Sequence, residues 1–401
     1  MEDRRLLIIF SIVLVDMISF ALVLPLLPGY AARFGASVFV TGLVYSSYPL
    51  MQVIAAPILG RLSDIFGRKP ILLLSIAGTV AALLVLGFAN ALWMLFASRL
   101  LDGITGGNIS VAQAYIADIT SEADRGKAFG LIGAAFGLGF IIGPATGGFL
   151  STYGLNVPPL VAAGLAAVNL LLVTFFLRES LSTQRRADIA AAPARGFNIH
   201  ELASALRLPR VGPLMRVRIV IGFTFAVFEG GFALWAWKAL GLSVRDIGFV
   251  LAYVGVISVV IQMGLIGQLT KRFTDSQLIV SATALAAIML AAWGLSPSRW
   301  TLLALMPFLS LGMAVSNTIV GSALTKAVRA EEVGGVIGLS ASVGSLTRIP
   351  APAAAGALLA VGMWAPGVLA GVLTLAIVPY AWVRLIRRPD TPLPPREPHA
   401  G

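Results

Sequence analysis

The chain has 401 residues, of which 58% are hydrophobic and 12% charged, with a net charge of +11 and no cysteine. A water-soluble domain carries about twice that charge fraction, so the composition is that of an integral membrane protein. The missing thiols exclude disulfides, zinc–thiolate sites, iron–sulfur clusters and cysteine nucleophiles. The two histidines, His200 and His399, lie outside every apolar run, which removes histidine–metal, haem and Ser–His chemistry from the bilayer, and no phosphate-binding Gly-x-x-x-x-Gly-Lys-Ser/Thr loop occurs.

Apolar segments recur twelve times, at 6–28, 39–60, 71–90, 93–116, 128–151, 158–177, 214–237, 247–269, 276–296, 300–325, 334–359 and 366–386. Each is long enough to cross a bilayer as a helix at 1.5 Å per residue. The expected fold is an all-α membrane protein of twelve transmembrane helices. Segment 1 begins like a secretory signal, but Asp16 interrupts it and no small-residue cleavage site follows, so it is read as a retained helix.

Lys and Arg fall overwhelmingly on one side. Only Arg33, Lys238, Arg245 and Arg299 lie in loops on the other face; Arg99 and Arg348 lie within segments, and Arg216 and Arg218 count with the central loop as its basic flank into segment 7. By the positive-inside rule both termini are cytoplasmic, and the basic excess answers topology rather than nucleic acid. The longest polar stretch, 178–213, divides the chain. The expected organisation is an N-terminal bundle (1–177), a cytoplasmic linker lying on the membrane surface (178–213), a C-terminal bundle (214–388) and a Pro-rich, disordered tail (389–401).

The two halves echo each other. Ser37-Val38-x-x-x-Gly42 answers Ser243-Val244-x-x-x-Gly248. Gly60-Arg-Leu-Ser-Asp-Ile-Phe66 answers Gly267-Gln-Leu-Thr-Lys-Arg-Phe273. Gly103 and Asn108 answer Gly312 and Asn317, and Gly143-Pro144-x-x-Gly147-Gly148 answers Ala351-Pro352-x-x-Ala355-Gly356. Four pairs in one order indicate a duplicated six-helix unit, with a small-molecule site expected near the midplane.

Between segments 2 and 3 stands Gly60-Arg61-Leu62-Ser63-Asp64-Ile65-Phe66-Gly67-Arg68-Lys69-Pro70. Its glycines suit close backbone approach or unusual φ. Asp64 does little for topology, so an acid among bases suggests a specific pairing. The string Gly-x-Leu-x-Asp-x-x-Gly-Arg-Lys resembles the loop signature of the major facilitator superfamily of secondary transporters. Segment 5, with Gly130, Gly139, Gly143, Pro144, Gly147 and Gly148, has the small-residue spacing that lets helix backbones touch. That spacing also resembles the signature of drug:proton antiporters in the superfamily. Asp16-x8-Pro25-x-Leu27-Pro28 and Arg99-Leu-Leu-Asp-Gly-Ile-Thr-Gly-Gly resemble the twelve-helix, tetracycline-efflux-like branch, with Ala21 standing where a glycine is usual.

Five charges lie at membrane depth, where each costs at least about 2.5–3.5 kcal/mol: Asp16, Arg99, Asp102, Glu229 and Arg348. Arg99 and Asp102, three apart, can pair. They are either a structural bridge or, as the resemblance implies, part of proton exchange. Asp16 is about 15 Å deep by helical rise. Taking a lone carboxyl out of water penalises its charged form, which suits a proton carrier; the alternative is a packing hydrogen bond. Glu229 lies 14 residues before the Ser-Val marker, against 21 for Asp16, and so about 10 Å nearer the outside. It either joins a proton relay or binds a cationic or polar compound. Arg348 has no acid in its own helix and needs Glu229, Asp16 or an anionic substrate as partner. Polar Asn108, Gln113, Gln262 and Asn317, with the aromatic Phe228, Phe232 and Trp235, are the substrate-contact candidates.

The resemblance implies that Asp64 meets the start of segment 11 near Gly334-Gly335. With Gly60, Gly67, Arg68, Lys69 and Asp118, it would latch the outward-facing state on the cytoplasmic side. It further implies export of small hydrophobic or amphipathic compounds, antibiotics among the candidates, against protons, by a cofactor-free monomer of the inner membrane. Branch members that export tetracycline carry an acid in segment 9, and 276–296 has none. The alternatives are a same-fold transporter of a sugar, metabolite or lysolipid, and a non-transporting membrane receptor.

Overall fold

The computed structural model describes residues 2–182, 184, 186, 206, 208–329 and 332–387. Most of the expected linker and the whole tail 389–401 lie outside the described residues. Among those described there are helices and turns and no strands.

The first half contains α1 (Glu2–Val23), α2 (Leu27–Arg33), α3 (Val38–Phe66), α4 (Arg68–Gly87), α5 (Leu92–Ile104), α6 (Asn108–Ile119), α7 (Glu122–Leu150) and α8 (Val157–Phe176). The second contains α9 (Val211–Leu240), α10 (Val244–Val260), a π-turn at Ile261–Leu265, α11 (Ile266–Arg272), α12 (Asp275–Gly294), α13 (Arg299–Lys326), α14 (Val333–Arg348), α15 (Pro350–Val361) and α16 (Ala365–Ala381). Side-chain caps set several starts. Ser37 and Ser121 accept the N–H of Val40 and Asp124, and Thr274 with Gln277 forms a capping box.

Ten of the described helices are long and apolar enough to span a membrane. Segments 4 and 11 differ from expectation in being broken. Segment 4 parts at Thr105-Gly106-Gly107, between α5 and α6, where two consecutive glycines each cost a helix about 1 kcal/mol. Segment 11 parts at Ile349, because Pro350 donates no backbone hydrogen bond and sits at the start of α15. Segment 1 likewise stops at Val23, ahead of Pro25. The carbonyl of Leu24 freed there accepts the Tyr45 hydroxyl.

Large apolar side chains such as Leu7, Ile54, Phe88 and Phe175 are exposed, and Trp93, Trp300 and Trp364 are exposed near helix ends. This is the surface of a protein solvated by lipid, with aromatic residues at its interfaces.

By contact, the chain forms two compact units. The first comprises Met1–Gly196, Glu229–Val259 and Arg348–Met363; the second comprises Phe197–Phe228, Val260–Thr347 and Trp364–Gly401. Three helical segments are thus cut, after Phe228, after Val259 beside the π-turn, and after Thr347 just ahead of the Pro350 break. Small residues draw the cut pieces into the first unit. A Cβ on Gly42 of α3 would lie 2.5 Å from the carbonyl oxygen of Pro352 in α15, and one on Gly148 of α7 would lie 2.9 Å from that of Arg245 in α10. In addition, the N–H of Ala353 donates to Ser46 Oγ at 3.1 Å. In the second unit, α12 packs on α13 and α16, and Thr374 Oγ1 donates to Thr224 Oγ1 at 3.0 Å.

Candidate functional site

All five membrane-depth charges belong to the first unit. Asp16 stands on α1, held by α7. A Cβ on Gly143 would come within 2.7 Å of the Ile18 carbonyl oxygen, and one on Gly147 within 2.7 Å of that of Leu22, while Gly139 abuts the side chain of Met17. The glycine-rich face of segment 5 therefore brings backbone against backbone beside the acid, as small-residue interfaces permit.

The Asp16 carboxylate accepts the amide of Asn108 at 2.8 Å. Asn108 is buried and is the first residue of α6, delivered by the Gly106-Gly107 break. Its Oδ1 has no hydrogen-bond partner among the described residues. A side-chain amide holds both a donor and an acceptor, so Asn108 is equipped to meet Asp16 either as an accepting carboxylate or, after rotation, as a donating acid. Asp16 itself is partly exposed.

Two residues that the sequence did not single out complete the surroundings. Gln52 donates to the Tyr48 hydroxyl at 3.0 Å and to the Gly106 carbonyl at 3.3 Å, filling a valence opened by the helix break. Tyr48 packs on Phe20 with ring centroids 5.2 Å apart. The available signal was a glutamine and a tyrosine one turn apart inside an otherwise apolar run.

Arg99 and Asp102 pair at 3.4 Å, and Arg99 also donates to Ser98 Oγ at 3.2 Å. Arg348, for which the sequence left two acidic partners open, pairs with Glu229 at 3.1 Å. In the second unit Asn317 accepts from Arg218 at 2.5 Å. Arg218 thus lies within α9, not on the basic flank to which topology assigned it. Gln113 and Gln262 are exposed, Gln262 on the π-turn.

Of the aromatic candidates of segment 7, Phe228, Phe232 and Trp235 are all buried, and Phe228 stands edge-on to Trp293 at 5.0 Å. Their spacing of three to four residues is that of a core face.

At the hairpin between α3 and α4, Asp64 pairs with Arg68 at 2.6 Å, and Arg68 Nε reaches Asp118 at 3.1 Å. Arg68 also donates to Ser63 Oγ at 2.7 Å, and Ser180 Oγ donates to Asp118 at 2.9 Å. Glu179 was not foreseen. Its carboxylate accepts the N–H groups of Arg68 at 2.9 Å and Lys69 at 3.1 Å, capping the positive end of α4. Lys69 Nζ donates to the Thr174 carbonyl at 2.7 Å. Gly67 has φ +109°, so its conformation demands glycine, and a Cβ there would push aside the carboxylate of Glu179. The same expectation fails for Gly60, which is ordinary helix within α3, where an added Cβ would meet nothing within 4 Å. Gly334 and Gly335, expected opposite Asp64, belong to the second unit.

A salt-bridged hairpin of this sequence, joining membrane-spanning helices, coincides with a match to the Major Facilitator Superfamily over residues 9–352 and again over 214–401. The chain belongs to that superfamily. This makes it a multi-pass membrane transporter and not an enzyme. Among its relatives is the class C tetracycline resistance protein of Escherichia coli, 33% identical over 355 residues, which span 88% of each chain. Multidrug resistance protein 2 of Bacillus subtilis (strain 168) is 27% identical over 369 residues and 92% of each. The crystal structure of the human organic anion transporter MFSD10 superposes with a TM-score of 0.67 at 25% identity, over 95% of this chain and 99% of that one.

Proposed function

We propose that this chain exports small hydrophobic or amphipathic compounds in exchange for protons by alternating access. The observation that carries the reading is the Asp16–Asn108 contact: a carboxylate at membrane depth, partly exposed, hydrogen-bonded to a neutral side chain. A counter-charge would lock one protonation state; an amide serves both.

In this reading Asp16 is the proton carrier, Asn108 positions it, and the Arg99–Asp102 pair supplies the neighbouring field. The glycines Gly139, Gly143 and Gly147 keep α1 and α7 in register through the cycle, while Pro144 and Gly148 face α10. The Asp64–Arg68–Asp118 chain, anchored by Glu179, is the latch of one access state, and protonation or substrate loading elsewhere releases it. The relatives' names support export of drug-like molecules, since two are resistance proteins. Tetracycline itself is disfavoured, because segment 9 lacks an acid and Asp275 at its edge is paired with Lys326 at 2.7 Å.

The proposed setting is the inner membrane, with both termini cytoplasmic, as a monomer of two six-helix repeats separated by 178–213. The deciding experiment is uptake of a compound panel into everted vesicles with an imposed pH gradient. Accumulation that collapses with the gradient is expected; substrate movement with no coupled proton flux would refute antiport.

A further inference from the structure

Of the five membrane-depth charges, Arg348 alone combines a partner of opposite charge with a largely open side chain. Its guanidinium meets Glu229 at 3.1 Å, and the Arg348 side chain is 45% exposed, against 15% for that of Glu229. Arg99, for comparison, is 3% exposed and closed against Asp102. An arginine left this open at membrane depth faces water rather than lipid, because the lipid alternative is far costlier.

The backbone explains why it stays open. Arg348 is the last residue of α14, immediately before the Pro350 break, so its side chain leaves the helix where the regular wall of neighbours is interrupted. Just beyond it, α15 closes onto α3 through Pro352 against Gly42 and Ala353 against Ser46. With Gly356 against Val38 as well, α15 runs antiparallel to α3, and one turn back from Pro352 the chain is at the level of Tyr48, two residues beyond Ser46. Tyr48 in turn packs on Phe20, which meets Phe140 edge-on at 6.2 Å. A half-open cation is thus level with a cluster of three partly exposed aromatic rings.

We propose that Arg348 receives the negatively charged group of an amphipathic organic acid, a carboxylate or sulfonate carried on an apolar, preferably aromatic body. Tyr48 and Phe20 form the wall for that body, and Glu229 is the internal counter-ion with which the acid competes. A guanidinium presents five N–H donors in a planar fork that matches a carboxylate with two parallel bonds, and the contact to Glu229 uses little of that capacity. Glu229 keeps the arginine neutralised and aimed while the site is empty, and its charge also sets the threshold an incoming anion must overcome. This inference rests on the transporter reading above and narrows its substrate class; it does not depend on the proton-carrier role of Asp16.

The test is equilibrium dialysis of radiolabelled 1-naphthoate against the full chain in lipid nanodiscs, with the uncharged 1-naphthamide as competitor of the same shape. Saturable naphthoate binding is expected, with the amide at least about tenfold weaker. Arg348→Gln should weaken naphthoate about tenfold or more and leave the amide unaffected, while Glu229→Gln should tighten naphthoate several-fold. The gain in the Glu229 variant is an outcome that misfolding cannot produce. Absence of saturable binding, equal affinity for acid and amide, or weaker naphthoate binding in Glu229→Gln would each overturn the proposal. Vesicle measurements on the unaltered chain separate the two readings. Gradient-driven transport with Arg348-independent binding removes this inference alone, and Arg348-dependent binding without gradient-driven transport removes antiport alone.

Discussion

Asn108 and Asn317, which occupy corresponding positions in the two sequence repeats, hold opposite charges. Asn108 donates its amide to Asp16 at 2.8 Å, whereas Asn317 presents its carbonyl oxygen to Arg218 at 2.5 Å. A carboxylate only accepts and a guanidinium only donates, so each partner dictates which end of the amide faces it. The first contact thus holds an acid and the second a base.

Replacing Asp16 by Asn should abolish gradient-driven accumulation and retain downhill exchange of substrate. The measurement is accumulation in energised vesicles beside counterflow in de-energised ones. Active transport at the unaltered rate would remove Asp16 as the carrier.

Asn108→Ala removes the amide that donates to Asp16 and leaves the backbone free to remain helical. Gradient-driven transport should fall about tenfold, consistent with the roughly 1.5–3 kcal/mol assigned to a hydrogen bond to a charged group. Substrate binding measured without a gradient should change little, and a parallel loss of binding would make Asn108 a substrate ligand instead.

Asp102→Asn leaves Arg99 buried without its counter-charge. Breaking a buried pair from one side costs about 3–5 kcal/mol, so the variant should denature at markedly lower temperature. Asp64→Asn, by contrast, removes the more exposed of the two acids on Arg68. Stability should fall less, and labelling should report a shift towards the cytoplasmic-open form. The chain contains no cysteine, so single introduced thiols read this directly; labelling patterns identical to the parent would count against the latch.

Gly67→Ala forces a side chain into positive φ and against Glu179, so it should be more damaging than Gly60→Ala, where there is open space. Glu179→Ala deprives the start of α4 of its cap, at a cost of about 0.5–2 kcal/mol. Thermal unfolding of the three variants should rank Gly60→Ala as nearest the parent.

Much was legible in one dimension. Runs of about 20 apolar residues are long enough to span a bilayer as helices, so the helical membrane class followed from composition and spacing. The Asp64–Arg68–Asp118 chain was readable through the hairpin signature, and the Arg99–Asp102 pair through its spacing of three. The repeats were visible because small and polar residues recur in order. What those local patterns lack is the identity of neighbours from distant helices. Nothing in the chain's order placed Glu179 over the start of α4, Gln52 on the carbonyl released at Gly106, or Glu229 rather than Asp16 on Arg348. Nor did the aromatic spacing in α9 reveal that Phe232 and Trp235 face the interior, since a packing stripe and a binding stripe share one period. Periodicity tells which side of a helix differs from the other; only the packed fold decides what stands opposite it, because those contacts join residues far apart along the chain.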